Sequence, residues 1–268
     1  RKYRPQTFAD LIGQETLVQI LTNAILTNRI ANAYLLTGVR GVGKTTTARL
    51  IAMSLNCENK KEDTCEPCGI CESCKSIRSD HNLDVIEMDA ASKTGVDDVR
   101  EIIDNVKYKP VNCKFKIFII DEVHMLSKSA FNALLKTLEE PPEHVKFIFA
   151  TTEVKKIPVT ILSRCQRFDL KRVEFKDLIQ HLKKISELEK VKIDEGAISL
   201  LVRAGDGSVR DSLSLLDQAI INNNTTVSAE TVANMLGLAD RGKIYELLGH
   251  IANCLLYTSD AADEEDSV

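Results

Sequence analysis

The stretch Gly-Val-Arg-Gly-Val-Gly-Lys-Thr, residues 38–45, fits the pattern G-x-x-x-x-G-K-[ST], a loop whose backbone N–H groups surround the phosphates of a nucleotide. An apolar run at 33–36 precedes it and a helix-forming run at 45–55 follows it, which is the strand–loop–helix context that the motif requires. The N-terminus of that helix would direct its positive dipole at the phosphates. The sequence therefore predicts a nucleotide site on an α/β sheet.

Each part of this loop has a predicted task. Its glycines can adopt backbone angles that a Cβ forbids, Lys44 supplies a mobile positive charge, and the Thr45 hydroxyl suits a Mg²⁺ ligand. The predicted nucleotide contacts are Gly38, Val39, Arg40, Gly41, Val42, Gly43, Lys44, Thr45 and Thr46.

A second motif indicates hydrolysis as well as binding. The apolar run 115–120 is typical of a strand buried on both faces, and it ends in Asp121-Glu122-Val123-His124. Acids at the carboxyl end of a central strand lie where α/β sheets bind ligands. We therefore expect Asp121 to hold Mg²⁺ and Glu122 to orient and polarise the attacking water.

Strand-like and helix-like runs alternate up to residue 170, which predicts a doubly wound parallel sheet with helices on both faces. Beyond Lys171 the strand signal disappears and the periodicity favours helices alone. The predicted strands are 33–37, 84–89, 115–120, 145–150 and 167–169; the predicted helices are 15–27, 45–56, 96–107, 128–139, 158–163, 175–189, 194–204, 209–222, 229–236 and 240–253.

These runs divide the chain into four predicted parts. Residues 1–170 form a nucleotide-binding domain with an insertion at about 57–78, and 171–236 form a small helical domain. Residues 237–254 begin a further helical domain that the chain does not complete. The acidic, aperiodic stretch 255–268 is interpreted as a disordered or artefactual tail.

The composition bounds the class of protein. Hydrophobic residues make up 44% and charged residues 28% of the 268 residues, as in ordinary globular chains. No apolar run approaches the ~18 residues of a membrane span, so we predict a cytoplasmic protein without membrane contact. The formal charge is −4, and it becomes 35 − 34 = +1 without the five acids of the tail, so any DNA contact requires a local patch.

The cysteines indicate a metal. Five of the eight fall within residues 57–74, and a cytosolic protein uses such clusters for metal rather than for disulfides. The spacing Cys68-x-x-Cys71-x-x-Cys74 places three thiolates on one tight loop, and Cys57 can complete a tetrahedral zinc site. Cys65 is an alternative fourth ligand because it also forms a C-x-x-C with Cys68, whereas His81 is a weak candidate.

Taken together, residues 1–253 resemble the ATPase subunit (gamma/tau) of the bacterial DNA polymerase III clamp loader, within the AAA+ superfamily. The resemblance rests on the segments 2–5, 8 and 11–14, the loop 38–45, the cysteine cluster, the acidic motif 121–124, residues 132–142 and residues 158–165 with Ser163-Arg164-Cys165. It implies ATP, Mg²⁺ and Zn²⁺ as cofactors, and other clamp-loader subunits, a sliding clamp and primer-template DNA as partners. Membership of that holoenzyme implies no polymerase site, and no polymerase carboxylate pattern is visible.

The resemblance also implies roles for single residues. Arg164 matches an arginine finger that acts on the ATP of the adjacent subunit, and Thr152, with Thr151 beside it, matches a γ-phosphate sensor. Arg210 matches a second sensor; the form Ser208-x-x-Asp211 also predicts that it lies in the first turn of a helix, where an Arg favours a nearby anion. The segment lining the adenine pocket is matched by Tyr3, Arg4, Pro5 and Ile12.

The expected function is an ATP-driven motor that opens the clamp and places it on primed DNA, with a DNA contact at Lys93 and Thr94. Two other classes remain open: a P-loop kinase or another AAA+ DNA-remodelling ATPase such as a branch-migration helicase, and a catalytically silent scaffold subunit. The fragment 1–253 barely begins the collar that joins subunits in the family, so we expect it to be largely monomeric and a slow ATPase when alone.

Overall fold

The structure, a computed structural model, describes residues 3–60, 64–222, 226–238, 245 and 248–253. The predicted tail 255–268 and much of the predicted helix 240–253 lie outside these residues. Within them, no helix combines the length and apolar character that crossing a bilayer requires.

Five parallel strands form one sheet in the order β2-β3-β4-β1-β5. The strands are β1 (Ala33–Thr37), β2 (Val85–Asp89), β3 (Lys116–Asp121), β4 (Val145–Thr151) and β5 (Gln166–Asp169). In register, Leu35 of β1 is paired with Phe149 of β4, and Phe118 of β3 is paired with Phe147 of β4. The predicted parallel sheet is confirmed.

Helices cover both faces of this sheet. The helices of this part are α1 (Glu15–Leu26), α2 (Lys44–Asn56), α3 (Glu72–Ser79), α4 (Val96–Val106), α5 (Lys128–Glu139) and α6 (Val159–Leu162). Alternate residues of β3 enter two separate cores: Ile117 and Ile119 pack with α1 and α2, whereas Phe118 and Ile120 pack with α4 and α5. This burial on both faces explains why the central strands are continuous apolar runs.

The part after residue 171 packs around its own core. It contains α7 (Phe175–Leu188), α8 (Glu195–Gly205), α9 (Val209–Asn222) and α10 (Ala229–Met235). The expectation that it has no strands is wrong, because β6 (Lys192–Ile193) pairs in parallel with β7 (Thr226–Val227). Two-residue strands are too short to leave a period in the sequence.

The cysteine insertion also departs from expectation. Cys68, Cys71 and Cys74 do not share one loop, because Cys74 lies on α3 and Cys71 is the N-cap of that helix. The Cys71 sulfur accepts the backbone N–H of Cys74 at 3.4 Å, as a capping side chain does. Sulfur is not among the usual capping groups, so the start of α3 carries no standard sequence signal.

A buried glutamine at the start of α1 is bonded to the segment that leads into α7. Gln14, which is 4% exposed, donates from Nε2 to the Lys171 carbonyl at 2.8 Å and accepts the Lys171 N–H at 3.2 Å. Its amide thus replaces a backbone partner for Lys171, which fixes where the helical part begins relative to α1.

Candidate functional site

The loop after β1 is held in a shape that only glycines adopt freely. Gly38, Gly41 and Gly43 have φ values of 146°, 78° and 103°, all in the region that disfavours a side chain. The turn ends at Gly43, the N-cap of α2, so the first N–H groups of that helix face the loop. This geometry is that of an anion cradle at a helix N-terminus.

Lys44 points its ammonium group back into this cradle. Its Nζ donates to the carbonyls of Gly38 at 3.0 Å and Val39 at 3.1 Å, and the residue is only 5% exposed. Burial lowers the pKa of Lys44, while Glu122 and Asp121 act in the opposite direction. A buried ammonium group in such a cradle can bind the phosphates of a nucleotide.

The loop also contacts the helical part. The Gly41 carbonyl accepts the N–H of Arg210 at 3.3 Å, and a Cβ on Gly41 would collide with the Ser208 hydroxyl. Ser208 caps α9 by accepting the N–H of Asp211 at 3.2 Å, so Arg210 lies in the first turn of that helix, as the sequence predicts. A direct hydrogen bond therefore joins the phosphate-binding loop to the first turn of α9.

Two hard oxygen donors meet at the base of the loop. The Thr45 hydroxyl donates to Asp121 Oδ2 at 2.5 Å, although 76 residues separate the two in the chain. Hydroxyl and carboxylate oxygens are the ligands that Mg²⁺ prefers. Thr45 and Asp121 are therefore the residues that would hold a magnesium ion.

Glu122 has a backbone conformation that costs free energy. Its φ of 46° is left-handed, which is uncommon for a residue with a side chain and is concentrated at functional sites. The Thr152 hydroxyl donates to Glu122 Oε2 at 3.3 Å. The strained turn thus directs this carboxylate toward the end of β4 and the predicted sensor residue.

His124 is a member of the site to which the sequence assigned no role. Its side chain is 7% exposed; Nδ1 lies 3.0 Å from Thr151 Oγ1 and 3.4 Å from Glu122 Oε2, and Nε2 lies 3.5 Å from Glu153 Oε1. The ring therefore connects Glu122 to the end of β4. The sequence signal that could have identified His124 as a site residue is its position within the 121–124 motif.

One cleft of about 750 Å³ is lined by most of these groups, whereas Thr152 and His124 are not among its lining residues. Its lining includes the loop residues 40–46, Asp121, Glu122 and Arg210, the apolar residues Leu11, Ile185, Leu213 and Leu216, and the charged residues Asp10 and Asp217. The four residues predicted for the base pocket, Tyr3, Arg4, Pro5 and Ile12, also line the cleft. Gly38 and Val39 do not; they contribute the two carbonyls that hold Lys44.

Arg164 lies apart from this cleft. Its guanidinium donates to Glu139 Oε1 at 2.6 Å and to the Thr160 carbonyl at 2.7 Å, beside α6. The residue is not among those that line the cleft of its own chain.

The cysteine cluster forms a second site. The Sγ atoms of Cys57, Cys68, Cys71 and Cys74 all lie within 4.8 Å of one another. A tetrahedral zinc ion with Zn–S bonds of ~2.3 Å needs sulfurs about 3.8 Å apart, so a modest contraction closes this set around a metal. Burial raises the pKa of Cys68, but N–H groups of Cys71 and Ile70 oppose it and the pKa falls to about 6.

Cys65, the alternative fourth ligand, lies elsewhere. Its sulfur is 2.9 Å from the Thr22 hydroxyl, and its carbonyl accepts a hydrogen bond from Ser54. The described residues thus contain a four-cysteine cluster that could hold a metal, and Cys57 rather than Cys65 completes it.

The comparisons with known protein families cover most of the chain. The family described as DNA polymerase III, delta subunit, matches residues 13–174, and the DNA polymerase III clamp loader subunit, ATPase lid domain, matches residues 177–224. Thermotoga maritima RuvB, described as a Holliday junction branch migration motor, has a similar structure with a TM-score of 0.63 at 18% identity, over 89% of this chain and 73% of that chain. At this identity the likeness shows the fold alone, and it agrees with the predicted parallel sheet followed by a helical part.

Curated relatives are much closer in sequence. DNA polymerase III subunit tau/gamma of Haemophilus influenzae is 52% identical over 92% of this chain and 36% of that protein, and subunit tau of Escherichia coli is 51% identical over 92% of this chain and 38% of that protein. The chain thus spans little more than a third of the length of these two relatives. Subunit gamma of Buchnera aphidicola subsp. Baizongia pistaciae is 41% identical over 97% of this chain and 72% of that protein. With two family matches and relatives at this level of identity, the chain belongs to the gamma/tau family of bacterial DNA polymerase III clamp-loader subunits.

Proposed function

We propose that this chain is an ATP-binding and ATP-hydrolysing motor subunit of a clamp loader, which opens a sliding clamp and places it on primed DNA. The observation that carries the proposal is the meeting of the 38–45 loop, Asp121, Glu122 and Arg210 around one cleft. The elements required for phosphoryl transfer to water are an anion cradle, a metal-binding oxygen pair and a water-orienting carboxylate.

Each residue has a proposed part in the reaction. Lys44 and the N–H groups of the loop bind the phosphates, and Thr45 with Asp121 would hold Mg²⁺, which neutralises charge on the phosphate oxygens. Glu122 orients and polarises the attacking water, and it is supported by contacts to Thr152 and His124. Thr152 and Arg210 report the γ-phosphate to β4 and to the lid.

The position of Arg164 supports a role in trans. An arginine finger must reach the transition-state charge on a phosphoryl group, and Arg164 does not line the cleft of its own chain. We propose that it completes the site of a neighbouring subunit in a hetero-oligomer. The cysteine cluster is proposed to hold a structural zinc ion, because four thiolates leave no open position for water.

The deciding experiment measures ATP turnover by the chain assembled with its clamp-loader partners, with and without sliding clamp and primer-template DNA. Clamp and primed DNA together should stimulate turnover, since the motor hydrolyses ATP when it acts on that substrate. Turnover that responds instead to branched DNA without clamp would favour a remodelling ATPase. ATP binding without turnover in the assembled complex, even though Glu122 is intact, would favour the scaffold subunit.

A further inference from the structure

A carboxylate of the cysteine insertion holds the segment that borders the nucleotide cleft. Glu66 accepts the backbone N–H of Phe8 at 2.7 Å through Oε2 and the N–H of Ala9 at 2.9 Å through Oε1. Both bonds are charge-assisted, and together they form a two-point grip on the short helical turn Phe8–Asp10. The first N–H groups of such a turn have no partner within it, so an external acceptor is required.

The same turn uses a second carboxylate of its own. Asp10 accepts the N–H groups of Gln6 at 3.3 Å and Thr7 at 3.2 Å. Four consecutive N–H groups, from Gln6 to Ala9, therefore donate hydrogen bonds to two carboxylates. Of these two carboxylates, that of Glu66 comes from a distant part of the chain, so it ties the turn to the cysteine insertion.

Glu66 is in turn fixed by its neighbours in the insertion. Next to it, Cys65 is 3% exposed; its carbonyl accepts a hydrogen bond from Ser54 of α2, and its sulfur contacts Thr22 of α1. Two residues later, Cys68 belongs to the four-cysteine cluster. The backbone on both sides of Glu66 is therefore held within the insertion.

The turn Phe8–Asp10 is followed directly by residues that line the cleft. Phe8 is 1% exposed and packs in the same core as Cys71 and Cys74 of the cluster. Directly after it, Leu11 and Ile12 line the cleft together with apolar side chains of the lid. A purine base would pack against these apolar side chains, at what we call the base end of the cleft, because the phosphate-binding groups belong to the loop 38–45.

We propose that Glu66 is a positioning residue that links the cysteine insertion to the base end of the nucleotide cleft, so that metal in the cluster strengthens binding of the nucleotide. The inference rests on the proposed function in that the cleft binds ATP. Without the Glu66 grip, the turn occupies its binding position for only part of the time, and the apparent Kd rises in proportion. The phosphate end, which Glu66 does not touch, keeps its affinity.

The test compares two ligands that differ only in the nucleoside. Isothermal titration calorimetry of the full chain measures the Kd for ATP and for tripolyphosphate. In Glu66→Ala the Kd for ATP should be roughly tenfold higher than in the wild type. The Kd for tripolyphosphate should stay within about twofold of the wild-type value. Glu66→Gln, which keeps one acceptor oxygen, should fall between. Glu72→Ala, which removes an exposed acid of the same insertion, should match wild type for both ligands.

The outcomes separate the possible failures. Wild-type protein that binds neither ligand would overturn the proposed function itself. A wild type that binds ATP while Glu66→Ala binds it equally well, or loses both ligands equally, would overturn only this inference.

A second measurement tests the link to the metal. Removing zinc from the wild type with a chelator, with the metal content measured in the same sample, should raise the Kd for ATP and spare tripolyphosphate. In Glu66→Ala the same treatment should add less than about twofold, because the link is already broken. Equal further losses in both proteins would show that metal and Glu66 act independently, and would overturn the linkage.

Discussion

Arg164 and Glu139 form an ion pair within this chain, with the guanidinium nitrogen 2.6 Å from Glu139 Oε1. The two side chains are 33% and 52% exposed, and pairs of this kind contribute about 1 kcal/mol or less. Such a pair holds Arg164 in position at the surface but releases it readily to a phosphate. The contact is therefore compatible with a guanidinium that serves a neighbouring subunit.

The first prediction concerns this arginine. Arg164→Ala should change turnover little in the chain alone, but should lower it by roughly 10³–10⁵ in the assembled clamp loader, as loss of an arginine finger does. Steady-state ATPase assays on both preparations measure this. Glu139→Gln, which keeps the arginine, is the control and should stay within about fivefold of wild type in the complex, since the pair is worth ~1 kcal/mol. A monomeric chain that loses most of its turnover on Arg164→Ala would disprove the role in trans.

Binding and hydrolysis should separate at two residues. Lys44→Ala should abolish ATP binding, because the buried ammonium group is the cation of the phosphate cradle. Glu122→Gln should bind ATP as wild type does and stall hydrolysis, because the side chain acts on the water. Nucleotide titration alongside single-turnover hydrolysis distinguishes the two, and an equal loss of affinity in both variants would contradict the assigned roles.

The cysteine cluster should bind about one zinc per chain, as a single four-ligand site does. Cys74→Ser should lose the metal and destabilise the insertion, because Cys74 is buried within the cluster and a metal-bound fold is stabilised by the binding free energy. Cys65→Ser should retain the metal, because the Cys65 sulfur contacts Thr22 instead. Mass-spectrometric metal analysis of protein purified under reducing, chelator-free conditions provides the measurement, and metal-free wild-type protein would refute the site.

The predicted DNA contact, Lys93 and Thr94, lies just before the start of α4. Gly95 is the N-cap of α4, and its N–H is already bound to the Asp98 carboxylate at 3.2 Å, which opposes a phosphate at that end. Lys93 remains exposed. Lys93→Ala should reduce the stimulation of ATPase by primed DNA and leave basal turnover unchanged, with Lys75→Ala on α3 as the control. An unchanged response to DNA would identify Lys93 as an ordinary solvated lysine.

Much of the fold could be predicted because its signals are local. The bounds of β1, α5 and α9 agree with the sequence prediction, since apolar period, flanking glycines and the proline pair after α5 are all readable within a few residues. The insertion helix α3 and the paired strands β6 and β7 were missed. One begins with a sulfur cap, and the others are too short to show a period.

The sequence by itself determined the phosphate loop, the acidic motif at the end of β3, the cysteine cluster and the family resemblance, because each is a short pattern whose chemistry depends on neighbours in the chain. Only the tertiary structure decided that Cys57 rather than Cys65 joins the cluster, that His124 contacts Glu122, and that Glu66 holds the turn at Phe8. Whether Cys57 or Cys65 joins the cluster and which turn Glu66 holds depend on how loops and helices distant in the chain come together in three dimensions. Such contacts leave no period or spacing in the sequence, since they are determined by packing rather than by local propensity.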